Sequence, residues 1–337
     1  MQTRFPRRAF LAGIAAAGGA YAISAFSDEK RNHISAALPG KSTQGLKSPF
    51  RVAVINDEIT QDFERACYVA AREFGMEWIE LRGMWNKNIV ALESKEAAEA
   101  RRILDKYKLR VTDIASPLFK TDWPGAPKSK FSPAKPEFNA DFSFAQQDEV
   151  LERGIELAKQ FGTDRVRCFD FWRLDDQAPY RAAMDEKLRE AAMKAGTNNV
   201  ILVLENELSC NTATGAEAAK VLAMVKSRSL MLNWDPGNAA ARGEKPFPDG
   251  YSLLPKDRIG HCHCKDVVRK SGDADDDWAK MGSGIVDWLG QFKALKRDGY
   301  RYAVSLETHW DGGGTPEEST RQSWAGMKHL LQEAGAL

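Results

Sequence analysis

Residues 199–238 read NVILVLENELSCNTATGAEAAKVLAMVKSRSLMLNWDPGN and predict one strand–helix–strand repeat. Asn199–Glu205 and Leu230–Asp235 are short apolar runs bounded by polar residues, which is typical of buried strands. Between them, Gly215–Lys226 carries apolar residues at the period of an amphipathic helix. A strand, a helix and a second strand in this order favour a parallel sheet with helical crossovers.

The same alternation begins near Phe50 and runs to the end of the chain, so that we count eight repeats. The other strands are predicted at Arg51–Asn56, Glu77–Leu81, Arg110–Ala115, Arg165–Phe171, Arg258–Lys265 and Tyr302–Glu307. The other helices are predicted at Gln61–Phe74, Ser94–Lys108, Gln146–Phe161, Tyr180–Ala195, Trp288–Arg297 and Pro316–Glu333, and the crossover through Tyr251–Asp257 has the weakest pattern. Eight such repeats in about 290 residues predict an α/β fold, the (β/α)8 TIM barrel. A doubly wound open sheet is the competing architecture, but no GxGxxG motif follows the first strand.

The composition limits the classes to which this protein can belong. A chain of 337 residues, 43% of them hydrophobic, is long enough for one large core. Lys and Arg number 48 against 47 Asp and Glu, which leaves a formal charge of +1 and no basic tract to bind nucleic acid. The five cysteines form no CxxC pair, so a disulfide framework is not indicated.

The amino-terminal segment differs from the rest of the chain. Arg7-Arg8 precedes an apolar run rich in Ala and Gly that extends to about Phe26, and no acidic residue comes before Asp28. We therefore predict a twin-arginine-type signal peptide at residues 1–26, a linker at 27–48 and the barrel domain at 49–337. The mature protein is then expected to be periplasmic or secreted, without a stable membrane span; an uncleaved anchor is the alternative.

Polar side chains follow four consecutive predicted strands at the point where each strand ends. The segments are Glu205-Asn206-Glu207, Asp235-Pro236-Gly237-Asn238, His261-Cys262-His263-Cys264-Lys265 and Glu307-Thr308-His309. The carboxyl ends of barrel strands meet at one face, and the long connections 116–144 and 266–285 are expected to cover the same face. Carboxylates so close together would raise one another's pKa values, and a divalent cation would relieve that repulsion.

Three carboxylates and one imidazole favour Mn²⁺ or Mg²⁺ as the single ion, with Co²⁺ and Zn²⁺ as alternatives. The residues alone leave Glu205 against Glu207, and His261 against His263, open as ligands. A zinc cluster of the whole His-Cys-His-Cys run is not expected, because adjacent residues of a strand point to opposite faces. Cys262 and Cys264 are therefore expected to pack against helices.

Taken as an ordered set, five motifs resemble those of the xylose isomerase-like barrels, a family grouped as sugar phosphate isomerases and epimerases, with relatives such as D-tagatose 3-epimerase and inosose dehydratase. The motifs are Leu204-Glu205-Asn206, Asp235-Pro236-Gly237-Asn238, His261-x-His263-x-Lys265-Asp266, Gly282-x-Gly284-x-Val286-Asp287-Trp288, and Gly299-Tyr300 leading to Ser305-Leu306-Glu307. The resemblance implies that Glu205, Asp235, His263 and Glu307 bind the metal.

The resemblance also implies catalytic roles for Glu205, Glu307 and Lys265. We expect substrate contacts from His261, Glu207, Asn238, Asp170 and Trp172. Many relatives have His where this chain has Glu207, so the contact at that place is expected to differ.

The implied chemistry is proton transfer beside a substrate carbonyl through an enediolate. We expect a metal-dependent isomerase or epimerase of a non-phosphorylated sugar, because phosphorylated sugars are cytoplasmic metabolites. A lyase or hydrolase acting on a 3-keto-glycoside and a non-catalytic periplasmic carbohydrate-binding protein are the alternatives. The expected partner is a small carbohydrate, and homo-oligomerisation is left open. A multi-zinc DNA-repair enzyme of the endonuclease IV type is not expected, since the chain has only five histidines.

Export is predicted to depend on the arginine pair. In a cell fractionation, the wild-type chain should reach the periplasm or medium, and Arg7-Arg8→Lys-Lys should leave it in the cytoplasm. Equal distribution of both chains would contradict the signal assignment.

Overall fold

The computed structural model describes residues 46–133, 142–269 and 277–337, which contain a parallel eight-stranded sheet. Its strands are β1 (Arg51–Val54), β2 (Trp78–Leu81), β3 (Arg110–Leu118), β4 (Arg165–Cys168), β5 (Ile201–Glu205), β6 (Leu230–Trp234), β7 (Ile259–Cys264) and β8 (Ala303–Leu306). Each strand from β2 to β8 pairs with the next, and β8 pairs with β1. A parallel bridge between Ile55 and Glu80 joins β1 to β2, which confirms the barrel.

Helices fill the crossovers between the strands. Their bounds are Asn56–Ile59, Phe63–Tyr68 with a π-helical continuation Val69–Glu73, Ser94–Tyr107, Gln147–Phe161, Arg181–Thr197, Gly215–Met224, Trp288–Arg297 and Pro316–Glu333, with short 3₁₀ turns at Ile89–Ala91 and Phe144–Gln146. The crossover after β6 is broken into Pro236–Ala241, a π turn Pro246–Gly250, Tyr251–Leu253 and a 3₁₀ turn Lys256–Arg258. This fragmentation explains why its sequence pattern is weak.

Two strands end three residues away from their predicted ends. Strand β3 continues to Leu118 instead of ending at Ala115, and its register with β4 shifts between Ile114 and Leu118. The irregularity leaves the carbonyl oxygens of Ala115 and Ser116 free to accept hydrogen bonds from Arg167 of β4. Strand β4 ends at Cys168 instead of Phe171, whose φ of 72° is incompatible with a strand.

The histidines and cysteines of β7 point to opposite faces of the strand, as their alternation in the sequence predicts. His261 and His263 both bond to Glu80 of β2, whereas Cys262 and Cys264 belong to the large apolar core. A contact between β7 and β2 passes through the barrel interior, since these strands are not neighbours in the sheet. The interior of this barrel is thus partly polar, where barrels ordinarily carry branched apolar residues.

The described parts of both long connections lie near the carboxyl ends of the strands. After β7, Asp266–Val268 pairs with Asp277–Ala279 in a short hairpin. The Asp266 carboxylate accepts hydrogen bonds from the backbone N–H groups of Gly282 and Gly284. A Cβ on Gly284 would collide with that carboxylate, so the close approach requires glycine.

The predicted signal peptide at 1–26 and all but the last residues of the 27–48 linker lie outside the described residues. Among the residues that are described, no helix is both long and apolar enough to cross a membrane.

Candidate metal centre

Four side chains converge where β5 to β8 end. Glu205, Asp235, His263 and Glu307 each offer one ligand atom, and these atoms all lie within 4.8 Å of one another. The Nδ1 atom of His263 lies 3.4 Å from Glu205 Oε1, 3.3 Å from Glu307 Oε2 and 3.9 Å from Asp235 Oδ2. All four residues are at most 2% exposed. The structure therefore brings together the four residues that were predicted to bind a metal.

The start of the helix Pro236–Ala241 holds the Asp235 carboxylate in place. Asp235 is the N-cap of the helix Pro236–Ala241, and its Oδ1 accepts from the backbone N–H of Asn238 at 2.8 Å. This cap leaves Oδ2 facing the cluster. The Asn238 side-chain amide in turn lies 3.3 Å from Glu205 Oε1 and 3.1 Å from Asp235 Oδ2. Asn238 is thus a neighbour of two candidate ligands, and its own side chain is fully buried.

Each of the two glutamates also pairs with an arginine. Arg167 donates to Glu205 Oε2 at 3.1 Å, and Arg82 donates to Glu307 Oε1 at 3.0 Å. The oxygen that each glutamate offers to His263 is the one its arginine does not contact. Both glutamates therefore stay ionised and keep one oxygen directed into the cluster.

The pKa values of the cluster reflect burial and the repulsion between its carboxylates. Burial raises the pKa of Glu205, but His263 and Arg167 outweigh it and lower the value to about 2. Burial raises the pKa of Asp235 to about 7, and the charges of Glu307 and Glu205 add to this effect against Lys265. Although burial opposes it, Glu80 and Glu205 raise the pKa of His263 well above its ordinary value. The carboxylates thus repel one another, and a divalent ion bound between them would relieve that repulsion.

The residues present fit a divalent ion. His263 Nδ1 is fully buried and lacks a hydrogen-bond partner, while it faces three carboxylate oxygens. A buried polar atom without a partner is costly, and a metal ion at this place would use that nitrogen together with the three oxygens.

Lys265 completes the charge balance of the centre. Its Nζ lies 3.0 Å from Asp235 Oδ2 and 2.6 Å from Glu307 Oε2, and 4.8 Å from the centre of the Trp278 ring. Burial opposes a charge there, but Asp235 and Glu307 raise the pKa of the ammonium group. Lys265 is therefore a permanent cation beside two candidate ligands.

A cavity of about 370 Å³ opens above the cluster. The predicted catalytic residues Glu205 and Glu307 reach it, as do the predicted substrate contacts Glu207 and Trp172. Glu207 is held by the Ser209 hydroxyl, which donates to it at 2.8 Å. Further lining residues were not predicted: Arg82, Asn88, Pro117, Lys120, Pro133, Arg167, Phe169, Ser209, Trp278 and His309.

Three other predicted substrate contacts do not line this cavity. His261 is fully buried and contacts Glu80, and Asn238 bonds to the candidate ligands as described above. Asp170 is also fully buried, and its carboxylate accepts from Thr212 Oγ1 at 2.6 Å and from Arg181 at 2.8 Å. These positions favour supporting roles over direct contact with a substrate.

Arg82 bonds to three carboxylates and was not predicted from the sequence. Besides Glu307, it donates to Asp57 at 2.9 Å and to Glu58 at 2.6 Å. Glu58 in turn lies 3.5 Å from His309 Nε2, at the edge of the cavity. Arg82 directly follows β2, and a strand-end cation could have been added to the candidates on that signal.

Fold and site together define a (β/α)8 barrel with a candidate centre of three carboxylates and one histidine at its carboxyl face. The chain belongs to the xylose isomerase-like TIM barrel family, whose model matches residues 68–330. Over 254 residues it is 24% identical to the putative L-ribulose-5-phosphate 3-epimerase SgbU of Escherichia coli K12, a match that covers 68% of this chain and 88% of that protein.

Two solved structures show the same fold. The IolI protein, crystallised with a zinc atom, matches with a TM-score of 0.66 at 14% identity and covers 86% of this chain and 100% of that one. The probable 3-DHS dehydratase AsbF of Bacillus anthracis matches with a TM-score of 0.63 at 18% identity, covering 84% and 99%. The family model thus confirms the predicted family, and the two structures share the fold of this chain.

Arg82→Met is expected to lower the free energy of unfolding by about 3–5 kcal/mol, because Asp57, Glu58 and Glu307 would lose the cation that compensates them. Urea unfolding in the presence of a chelator measures the loss. The control is Arg102→Met, which removes an exposed pair with Glu99 and is expected to leave the stability nearly unchanged. Equal stabilities of the two variants would contradict the assigned role of Arg82.

Proposed function

We propose that this protein is a divalent-metal-dependent enzyme that isomerises or epimerises a non-phosphorylated sugar through an enediolate. The observation that carries the proposal is the buried cluster of Glu205, Asp235, His263 and Glu307, two of whose carboxylates reach the cavity. A divalent ion held by these residues, Mn²⁺ or Mg²⁺ in preference to Co²⁺ or Zn²⁺, would stabilise negative charge on adjacent substrate oxygens.

Glu205 and Glu307 are the proposed proton carriers. Both are ionised, since their partners hold their pKa values low, and an ionised carboxylate can accept a proton from a carbon beside a carbonyl. They come from β5 and β8, so a substrate in the cavity would have a carboxylate on either side. After one glutamate has accepted the proton, delivery of a solvent-derived proton through the second glutamate to the other side of the same carbon gives an epimer. Transfer of the abstracted proton to the neighbouring carbon gives an isomer.

The charged groups of the cavity wall favour an uncharged substrate. Its arginines are already paired with carboxylates, Arg82 with three and Arg167 with Glu205. Glu207 adds a further negative charge, and its pKa is lowered because Lys120 and Lys265 outweigh its burial. The carboxylates of Glu205, Glu207 and Glu307 would repel a phosphate and accept hydrogen bonds from sugar hydroxyls. The sugar ring would stack on Trp172 and Trp278.

The comparisons support the class of reaction more than the substrate. SgbU is described as a putative epimerase of a sugar phosphate, and AsbF as a probable dehydratase. Epimerisation beside a carbonyl starts by removal of the proton from that carbon, a step that one of the two glutamates would perform here. Our proposal departs from SgbU in the absence of a phosphate on the substrate.

Metal content tests the centre directly. Purified wild-type protein should hold about one equivalent of divalent metal by elemental analysis, and His263→Ala and Glu205→Gln should lose it because each removes a ligand atom. The exposed Glu156→Gln is the matched control and should retain the metal. Unchanged metal content in both ligand variants would refute the centre.

Solvent exchange tests the chemistry. Metal-loaded enzyme incubated in D₂O with ketoses should introduce deuterium at carbon beside the carbonyl, seen by mass spectrometry, and Glu307→Gln should slow exchange at least 100-fold. Enzyme stripped of metal is the control. Cleavage of a 3-keto-glycoside would instead identify a lyase, and sugar binding without deuterium in any ketose or keto-glycoside would identify a binding protein.

A further inference from the structure

The carboxylate of Glu80, in the barrel interior, contacts His263 at the ring nitrogen that does not face the cluster. Glu80 of β2 is 0% exposed, and its Oε1 lies 2.9 Å from Nε2 of His263. Its second oxygen, Oε2, lies 3.0 Å from Nε2 of His261. One side chain thus joins two histidines of β7 across the barrel interior.

The contact decides which nitrogen of His263 faces the cluster. An ionised carboxylate can only accept a hydrogen bond, so Glu80 holds a proton on Nε2. Nδ1 is then the nitrogen that would give up its proton to bind a metal ion. The Asn233 side-chain amide also lies 3.1 Å from Nε2, and its oxygen, which has no other partner, would accept from the same N–H after rotation of the amide. Nδ1 is then held toward Glu205 and Glu307.

His261 contacts Glu80 and is not one of the four candidate ligands. Its ring meets that of His263 edge-on at 87°, with 5.3 Å between the ring centres. Its Nδ1 is 3.7 Å from Asp113 Oδ1, while its Nε2 holds Glu80. All of these groups are fully buried, so His261 touches Glu80 and Asp113 and has no access to the cavity.

We propose that Glu80 is a positioning residue of the metal centre and that His261 acts on the centre only through Glu80. A carboxylate that accepts from the distal nitrogen of a ligating histidine fixes the ring and makes the other nitrogen a better ligand. The inference rests on the proposed metal site and assigns to His261 a different role from the substrate contact expected from the sequence.

A second metal ion held by Glu80, His261 and His263 is the competing interpretation. The N···O distances of 2.9 and 3.0 Å are those of direct hydrogen bonds between the side chains, and an ion between them would require both gaps to widen. The two interpretations differ in stoichiometry, with one equivalent of metal expected for hydrogen bonds and two for a second ion.

The test is Mn²⁺ affinity, measured by competition with a chromophoric chelator. Glu80→Ala should weaken binding about 10- to 100-fold, and Glu80→Gln should weaken it less, because an amide oxygen can still accept from His263. Asp185→Asn is the matched control: it also removes a buried carboxylate, one that pairs with Arg181, and should leave Mn²⁺ affinity unchanged.

A double-mutant cycle tests the indirect role of His261. His261→Phe should weaken Mn²⁺ binding in the wild-type background and have no further effect in Glu80→Ala, since its only route to the metal is then absent. Additive losses would overturn this part of the proposal. The visible spectrum of the Co²⁺-loaded protein gives a second readout, which Glu80→Ala should alter and Asp185→Asn should not.

The outcomes separate this inference from the function on which it rests. Wild-type protein that binds no divalent metal would refute the proposed function. Wild-type binding with undiminished affinity in Glu80→Ala would refute the positioning role alone. Two equivalents of metal, one of them lost in His261→Phe, would establish the second ion instead. If Glu80→Ala does not fold, Glu80→Gln compared with Asp185→Asn decides the matter, and equal affinities would refute the proposal.

Discussion

Burial of ionised carboxylates at the mouth of a barrel is the constraint on which the rest of this structure depends. An ionised carboxylate removed from water is costly unless a cation or hydrogen-bond donors compensate it. Each carboxylate of the centre has such a partner: Glu205 has Arg167, Glu307 has Arg82, and Asp235 has Lys265. Removing any of these cations would leave a buried charge uncompensated, so the supporting cations are as necessary to the fold as the carboxylates are to the site.

This constraint explains irregularities that would otherwise look accidental. The register shift in β3 exposes the carbonyl oxygens of Ala115 and Ser116, which satisfy the guanidinium of Arg167 beyond its pair with Glu205. The broken crossover after β6 starts with a helix that Asp235 caps, so the same side chain ends a strand, begins a helix and offers its second oxygen to the centre. Local backbone structure and site chemistry are therefore coupled.

The sequence predicted most of the centre because its members come at the ends of consecutive strands, where chain position alone implies proximity. It did not predict Glu80, whose partners are 181 and 183 residues away on a strand that is not its neighbour. Only the closed geometry of the barrel brings β2 and β7 side chains together. Asp170 was expected to contact substrate from the end of a predicted strand, but its carboxylate bonds to Thr212 and Arg181 and does not line the cavity. Position along a strand identifies the face of the barrel, and tertiary contacts decide where a side chain points.

The candidate ligands come from the ends of β5 to β8. Three of the groups that compensate and orient them, Glu80, Arg82 and Arg167, come from β2 and β4 or the residue that follows, whereas Lys265 follows β7. Neither set contains the side chains of the loops that form the outer cavity wall, such as Trp172, Glu207 and Trp278. A barrel of this kind can keep one centre and change its substrate through those loops. Glu207 is one such residue, since it lines the cavity, and its carboxylate would favour the hydroxyl groups of a substrate over anionic groups.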